Sequence, residues 1–432
     1  MALGQWVALG GIAAGTAAWA AERASHDYQL VRFQIPARVC GSRLMNSAQT
    51  SVFPSPNPTR DAVDGGTAAT GTAATESTPG AVPPLRILHL SDTHLYRGRE
   101  DLTAWLRRLA TRAGQDFDFV VLTGDMLATS FGDAHLATRA FAPLVASGVP
   151  GAYVFGAHDY YANRAGNPLG YLVKGVAGRL AGLRGAGRRF AAAGSAGSAG
   201  SAGSAGSAGS ARAGMWSDAR RVSRRVSRSE RTGSQGGSGD FGRVFRDFLA
   251  DSPWVDVNNR QTELSAAGWR VALAGVDDPH IGRDVFPGFP GAGAAGGVSL
   301  RADSLGAIGN SSAGREGESP GNRARLRIGL AHAPYARVLD AFEAAGADVV
   351  FCGHTHGGQV CWPGGRALVT NCDLGSRFAS GVFSWVDGQP SRVMEPGAMR
   401  VSVSPGLGTS PFTPWRVFCP PAAFLVECGR NQ

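Results

Sequence analysis

The sequence predicts an α/β fold built on parallel strands, and three observations predict it. Apolar runs of strand length alternate with stretches of helical period, the pattern of βαβ units. Five of the apolar runs end in Asp or His. Glycine occurs 62 times in 432 residues and gathers, with Ala, Ser and Thr, in stretches without apolar period. Such stretches cannot bury enough apolar surface to offset ordering entropy. The reading is therefore one folded domain carrying disordered inserts.

The elements follow in order. The run 6-WVALGGIAAGTAAWAA-21 precedes the first charged side chain, Glu22. A spanning helix wants about 20 apolar residues, and a secretory signal would carry a positive start. Residues 1–25 are expected to form an apolar helix anchoring the chain to a membrane. An atypical signal and a helix packed on the domain are the other readings. Residues 26–37 alternate as a strand, and 38–84 form a polar, disordered linker.

The domain is expected to run over 85–430. It opens with strand 85-LRILHLSDTHL-95 and a helix over 101–114 whose Leu102, Trp105, Leu106 and Leu109 share one face. Strand 118–126, helix 133–147 and strand 151–159 follow. A low-complexity basic insert, 187–235, then breaks the pattern with a Gly-Ser-Ala repeat and the run RRVSRRVS. Order resumes with helix 241–251 and strands near 254–259 and 269–278. A Gly-rich loop covers 286–323, and strand 325–334, helix 335–346 and strand 348–358 repeat the βαβ logic. The tail from Arg366 reads as short strands.

The net charge of +9 belongs to one segment. Lys174 to Arg231 holds 12 basic residues against Asp218 and Glu230, a net of +10, so the rest sums to −1. The basic segment holds only Phe190 and Trp216 as aromatics, too few for a base-stacking platform, so no nucleic-acid partner is expected. An anionic membrane surface is the expected partner instead. RRVSRRVS resembles a basic kinase site, but a solvated loop is the default. The six cysteines lie far apart without CxxC pairs and read as free thiols.

The strand ends carry the chemistry. They present Asp92 and His94, then Asp125, then His158 and Asp159, then His332, then His354 and His356. Ligands in open α/β sheets bind at the carboxyl ends of strands. One histidine there is ordinarily a satisfied polar residue, whereas five ends filled with Asp and His point to metal. These donors suit Mn, Fe or Zn. A shared carboxylate could join two ions about 3.5–4 Å apart.

The order 92-DTH-94, 124-GD-125, 156-GAHD-159, 331-AH-332 and 353-GHTH-356 resembles the calcineurin-like metallophosphoesterases. The runs 158-HDYY-161, 275-GVDDPH-280, 357-GGQV-360 and 406-GLGTS-410 resemble a membrane-associated bacterial branch of that family. The resemblance implies a four-layer α/β/β/α sandwich with two divalent metals. Asp92, His94 and His356 would hold the first metal, His332 and His354 the second, and Asp125 would bridge. His158 would bind a phosphate oxygen or protonate the leaving alcohol, and a metal-bound hydroxide would attack phosphorus. Asp159 would orient His158, or cap a helix. The substrate would be a phosphomonoester or phosphodiester, lipid-linked or nucleotide-linked. Two alternatives stand beside it: a phosphate-binding module with little turnover, and a soluble cyclic-nucleotide phosphodiesterase.

One position departs from the pattern. The family places Asn where this chain has Ala157, so a donor to the second metal is missing. Three protein ligands plus water still make a workable site. Asp277, Asp278 and His280 are expected to be structural rather than substrate-facing, and Asn258 and Asn259 raise the same question. Gly357 and Gly358 are expected to let the backbone approach the site.

Overall fold

The structure is a computed structural model that describes residues 20, 23–37, 82–128, 131–162, 242–291, 325–409 and 414–430. Most of the expected anchor (1–25), of the linker (38–84) and of the Gly-rich loop (286–323) lies outside the described residues, as does the whole basic insert (187–235).

The first strand, β1 (Gln29–Ala37), is followed by β2 (Leu85–Leu90), α1 (Glu100–Ala110), β3 (Phe119–Thr123), α2 (Phe131–Val145), β4 (Gly151–Val154) and the one-turn α3 (Ala157–Tyr160). Then come α4 (Arg243–Ala250), β5 (Val255–Asp256), β6 (Arg260–Ala266), β7 (Trp269–Gly275), β8 (Arg325–Leu330), α5 (Ala336–Ala344) and β9 (Val349–Cys352). The chain ends with β10 (Gly381–Val386), β11 (Gln389–Ser391), β12 (Met399–Val403) and β13 (Ala422–Arg430).

Two sheets result, ordered β1-β13-β2-β3-β4-β5 and β11-β10-β12-β9-β8-β7-β6. The strand period of two sorts each strand between two cores. Ile87, Phe119 and Val121 face inward and meet Val271, Leu273, Ile328 and Phe351 of the second sheet. Their alternates Leu88, Leu90, Val120 and Leu122 meet the helices, through Leu102, Trp105, Leu106, Leu109, Phe141 and Phe245. On the far side Ala272, Ala274, Val350 and Val401 pack under Val338, Leu339 and Phe342 of α5. The layers are thus α/β/β/α, as expected. In α1, Glu100 and Asp101 open the helix and Arg107 and Arg108 close it, which complements the helix dipole.

Several elements differ from the sequence reading. Strands 325–334 and 348–358 stop at Leu330 and Cys352, and three further differences bear on the site and its sheets. Strand 151–159 stops at Val154, and residues 157–160 turn into α3. β6 went unrecognised as a strand: RQTELSA is an edge strand whose side chains are half-exposed, so it carries no apolar alternation. The strand at 26–37 belongs to the domain, since β1 pairs in parallel with β13 over its whole length.

Candidate metal centre

The parallel strands β2, β3 and β4 of one sheet and β7, β8 and β9 of the other all run toward the same end of the sandwich. The chain leaves each strand there in a short loop, and hydrogen bonds cross between loops. Asp92 N donates to Gly124 O at 2.9 Å, and His94 N to Asp125 O at 3.1 Å. Gly353 N donates to His332 O at 2.8 Å, and His354 N reaches Asp92 Oδ2 at 2.9 Å. The second sheet's ligand loop is therefore tied to the first sheet's carboxylate.

The backbone is strained where the donors sit. Among described residues ten non-glycine residues have positive φ, and five of them are Asp92, His94, Asp125, His354 and His356. Left-handed backbone costs an L-residue roughly 1–2 kcal/mol, so such concentration marks a site that the surrounding structure must over-determine. Close packing adds to it. A side chain at Gly156 would strike Asp125 Oδ1 and the His332 ring, and one at Gly353 would strike Ser91 and Asp92.

The donors fall into two sets whose atoms lie within 4.8 Å of one another: Asp92, His94 and His356, and Asp125, His332 and His354. Their tautomers follow from the carbonyls behind them. His94 Nδ1 donates to Leu127 O at 3.2 Å, and His332 Nδ1 to Thr123 O at 2.6 Å. In the neutral ring each Nε2 then keeps its lone pair and points into the site. His94 Nε2 stands 3.0 Å from His356 Nε2, and His356 Nε2 stands 3.6 Å from Asp92 Oδ1. Asp125 Oδ2 faces both sets, 3.7 Å from His94 Nε2 and 3.2 Å from His332 Nε2. With metal–nitrogen bonds of about 2.0–2.1 Å, neighbouring donors on one ion stand roughly 3.0–3.4 Å apart. His332 Nε2 and His354 Nε2 are buried and make no directed hydrogen bond. Bare nitrogens converging at ligand–ligand spacing fit divalent metal ions.

The electrostatics agree for His354 and His356. Burial would lower His332 as well, but without metal the carboxylates Asp125, Asp278 and Asp92 outweigh it and hold that ring well above the usual imidazole range, with a proton that metal binding would release. Burial pushes the Asp92 carboxyl up to about 7, with His332 opposing the shift and Asp125 adding to it. Burial alone would also raise Asp125, but the His332 and His158 imidazoles hold it well below the usual carboxylate range. Burial holds the His354 and His356 rings well below the usual imidazole range, so both stay neutral and able to ligate.

Of the two roles expected of Asp159, its hydrogen bonds serve the helix cap and not the orientation of His158. Its carboxylate makes no contact with the His158 ring. Oδ2 accepts from Asp125 N at 2.8 Å and Gly156 N at 3.0 Å, and Oδ1 from Met126 N at 2.8 Å. It caps α3 from the third helical position and pins the Asp125 loop. His158 lies on the open side of His94, ring centroids 5.2 Å apart and edge to face. Its Nδ1 is buried without a hydrogen-bond partner among the described residues. Ala157, buried below it, brings no donor.

The remaining expectations divide. Asp277 is structural, taking hydrogen bonds from Tyr160 Oη at 3.0 Å and Arg283 Nε at 2.6 Å. Asn258 Oδ1 holds Phe155 N and Asn259 Oδ1 holds Asp277 N, so both are structural too. Asp278 is different: Oδ1 accepts from His280 N at 2.8 Å, while Oδ2 is buried and unpartnered among the described residues. Gly357 and Gly358 do permit close approach, but to Cys419 and Ala367 rather than to the metal donors.

Arg416 went unnoticed in the sequence. Fully buried, it donates to the carbonyls of His356, Pro405 and Gly408. Gly408 N in turn bonds Asp92 O at 2.7 Å. One guanidinium thus braces ligand loops from both sheets. A lone arginine in a loop has no period or partner in sequence that would reveal this.

Residues 85–227 match the family model described as calcineurin-like phosphoesterase. No curated protein matches the chain. The matched span includes Asp92, His94, Asp125 and His158. It stops short of His332, His354 and His356, which the second sheet delivers to the same point. The span and the donor geometry agree with each other: over residues 85–227 the chain is similar to the calcineurin-like phosphoesterases, and that match indicates a phosphoester hydrolase.

Proposed function

We propose that this hydrolase uses two divalent metals, Mn, Fe or Zn, to cleave a lipid-linked or nucleotide-linked phosphomonoester or phosphodiester at an anionic membrane surface. The observation that carries the two-metal part is Asp125 Oδ2, which stands between the two donor sets. When bound, paired metals polarise a phosphoryl group and lower the pKa of water. Asp92, His94 and His356 would hold one ion, His332 and His354 the other, and Asp125 both. His158 is the group free to meet substrate: its unpartnered Nδ1 and its place beside His94 suit a bond to a phosphate oxygen or proton delivery to the leaving alcohol.

Three features support the membrane part. The apolar run 6–21 leads into Ser25, whose hydroxyl donates to Pro414 O at 2.7 Å. Next to that point the paired loops 359–362 and 415–418 expose Trp362, Trp415 and Phe418, at 60%, 45% and 59%. Aromatic side chains of this kind favour a membrane interface. The first of these loops, 359–362, follows directly on His356. Finally, the basic segment is inserted between described residues that meet beside the site, Arg246 donating to Asp159 O at 2.6 Å. Its net +10 would gain about 1 kcal/mol per basic residue near anionic lipid. The runs 158-HDYY-161, 275-GVDDPH-280, 357-GGQV-360 and 406-GLGTS-410 also resemble the family's membrane-associated bacterial branch.

The test is metal analysis of the purified chain, followed by hydrolysis of a panel of phosphomonoesters, phosphodiesters and lipid pyrophosphates. The panel is run with and without anionic vesicles. Turnover that rises with vesicles and favours the lipid substrates is expected. Equal rates on soluble cyclic nucleotides, with no vesicle effect, would overturn the membrane assignment.

A further inference from the structure

Ala157 brings no donor, and Asp278 carries a buried carboxylate oxygen with no partner among the described residues. Asp278 follows β7, as His332 follows β8, and the two strand ends are joined by Val276 N donating to Leu330 O at 3.0 Å. Its Oδ1 is occupied by His280 N, and the His280 ring lies against His354 with centroids 4.3 Å apart. The carboxylate acts electrostatically on both His332 and Asp125. It is fully buried, yet Oδ2 has no partner among the described residues. Buried polar groups are almost always satisfied, and exceptions mark a missing ion, a water or a functional role. The two largest electrostatic partners of Asp278, His332 and Asp125, belong to the second donor set, and Asp277 adds to them.

We infer that Asp278 compensates for Ala157, supplying the second metal set with a polar contact that residue 157 does not. It is not one of the three donors that cluster within 4.8 Å. It therefore acts from the next layer out, accepting a hydrogen bond from whatever fills the position that residue 157 leaves open. Asp278 is thus a positioning residue for the second ion. The inference rests on the two-metal reading of the site.

The test is calorimetric titration of manganese into metal-stripped full-length protein, with the wild type, Asp278→Asn, Ala157→Asn and the double variant. Asp278→Asn is expected to weaken the second binding event about 10–100-fold, the usual effect of losing an outer contact to a metal site. The first event should not move. In the double variant the new asparagine should restore the second event. Loss in Asp278→Asn that Ala157→Asn does not repair would mean a structural role and overturn the inference, as would an unchanged second event. Asp278→Glu is a second variant that keeps the charge. It should bind the second ion more tightly than Asp278→Asn, and equal loss in both overturns the inference. A wild type that binds one manganese or none overturns the two-metal reading itself, and this inference with it.

Discussion

Asp159 and Asp125 hold each other through the main chain. Asp159 Oδ2 accepts from Asp125 N at 2.8 Å, while Asp125 Oδ1 accepts from His158 N at 2.9 Å, next door to Asp159. The ring this closes fixes the φ of +58° at Asp125 and aims its second oxygen at both donor sets. Burial and the Asp125 charge push the Asp159 carboxyl up to about 6, against the backbone N–H groups that lower it.

Removing Asp159 should therefore cost both stability and metal. Asp159→Ala strands three buried N–H groups, those of Asp125, Met126 and Gly156. Each unsatisfied group costs about 1–3 kcal/mol, so a loss of at least about 3 kcal/mol is expected in urea denaturation. Asp159→Asn keeps one acceptor oxygen and should fall between. Identical denaturation midpoints for wild type and alanine variant would show that the network is not holding the loop.

Asp125→Asn removes one negative charge shared by both donor sets while leaving an oxygen for His158 N. Nearly all hydrolysis should go, with metal content reduced and the circular dichroism spectrum retained. A variant with wild-type turnover would sink the two-metal arrangement.

How much of this was legible in sequence depends on where the signal lives. Donor identity was legible because each apolar strand runs straight into its Asp or His, and strand ends need no long-range knowledge. The α/β layers were legible because apolar runs of strand length, such as β2, β3 and β7, alternate with stretches of helical period. What escaped depends on contacts between distant segments. β6 pairs with β7 through Ala267-Gly268, both at positive φ, a hairpin turn for which Ala is a weak signal. Asp159 reads as a partner for its neighbour His158, yet α3 rotates it away toward residues 125 and 126. Asp277 and Asp278 are adjacent letters, and only the fold sends one to Arg283 and the other toward His332.

His158 should separate chemistry from metal binding. It belongs to neither donor set, so His158→Ala should leave metal content unchanged. Turnover should fall about 10²–10⁴-fold, the usual worth of a positioned acid or base. His356→Ala should do the reverse first, losing metal. Elemental analysis beside initial rates distinguishes them, and metal loss in the His158 variant would place that ring among the ligands.

The last prediction concerns a histidine away from the metals. His89 lies between the sheets, against Phe351 at 5.1 Å between ring centroids, with Thr123 Oγ1 at 2.9 Å. Burial pushes its pKa down to about 3, whereas the unfolded chain takes up the proton near 6.5. Between those values the unfolded state binds the proton and the folded state does not. Stability from this residue is therefore full above about pH 6.5 and falls as pH drops toward 3, by roughly 1.4 kcal/mol per pH unit. His89→Gln keeps a hydrogen-bonding side chain but cannot titrate. Its unfolding free energy, measured in urea at pH 7, 6 and 5, should fall less steeply than that of the wild type by about that slope below pH 6.5. Parallel lines for the two proteins would show that His89 takes up its proton in the folded state as readily as in the unfolded one.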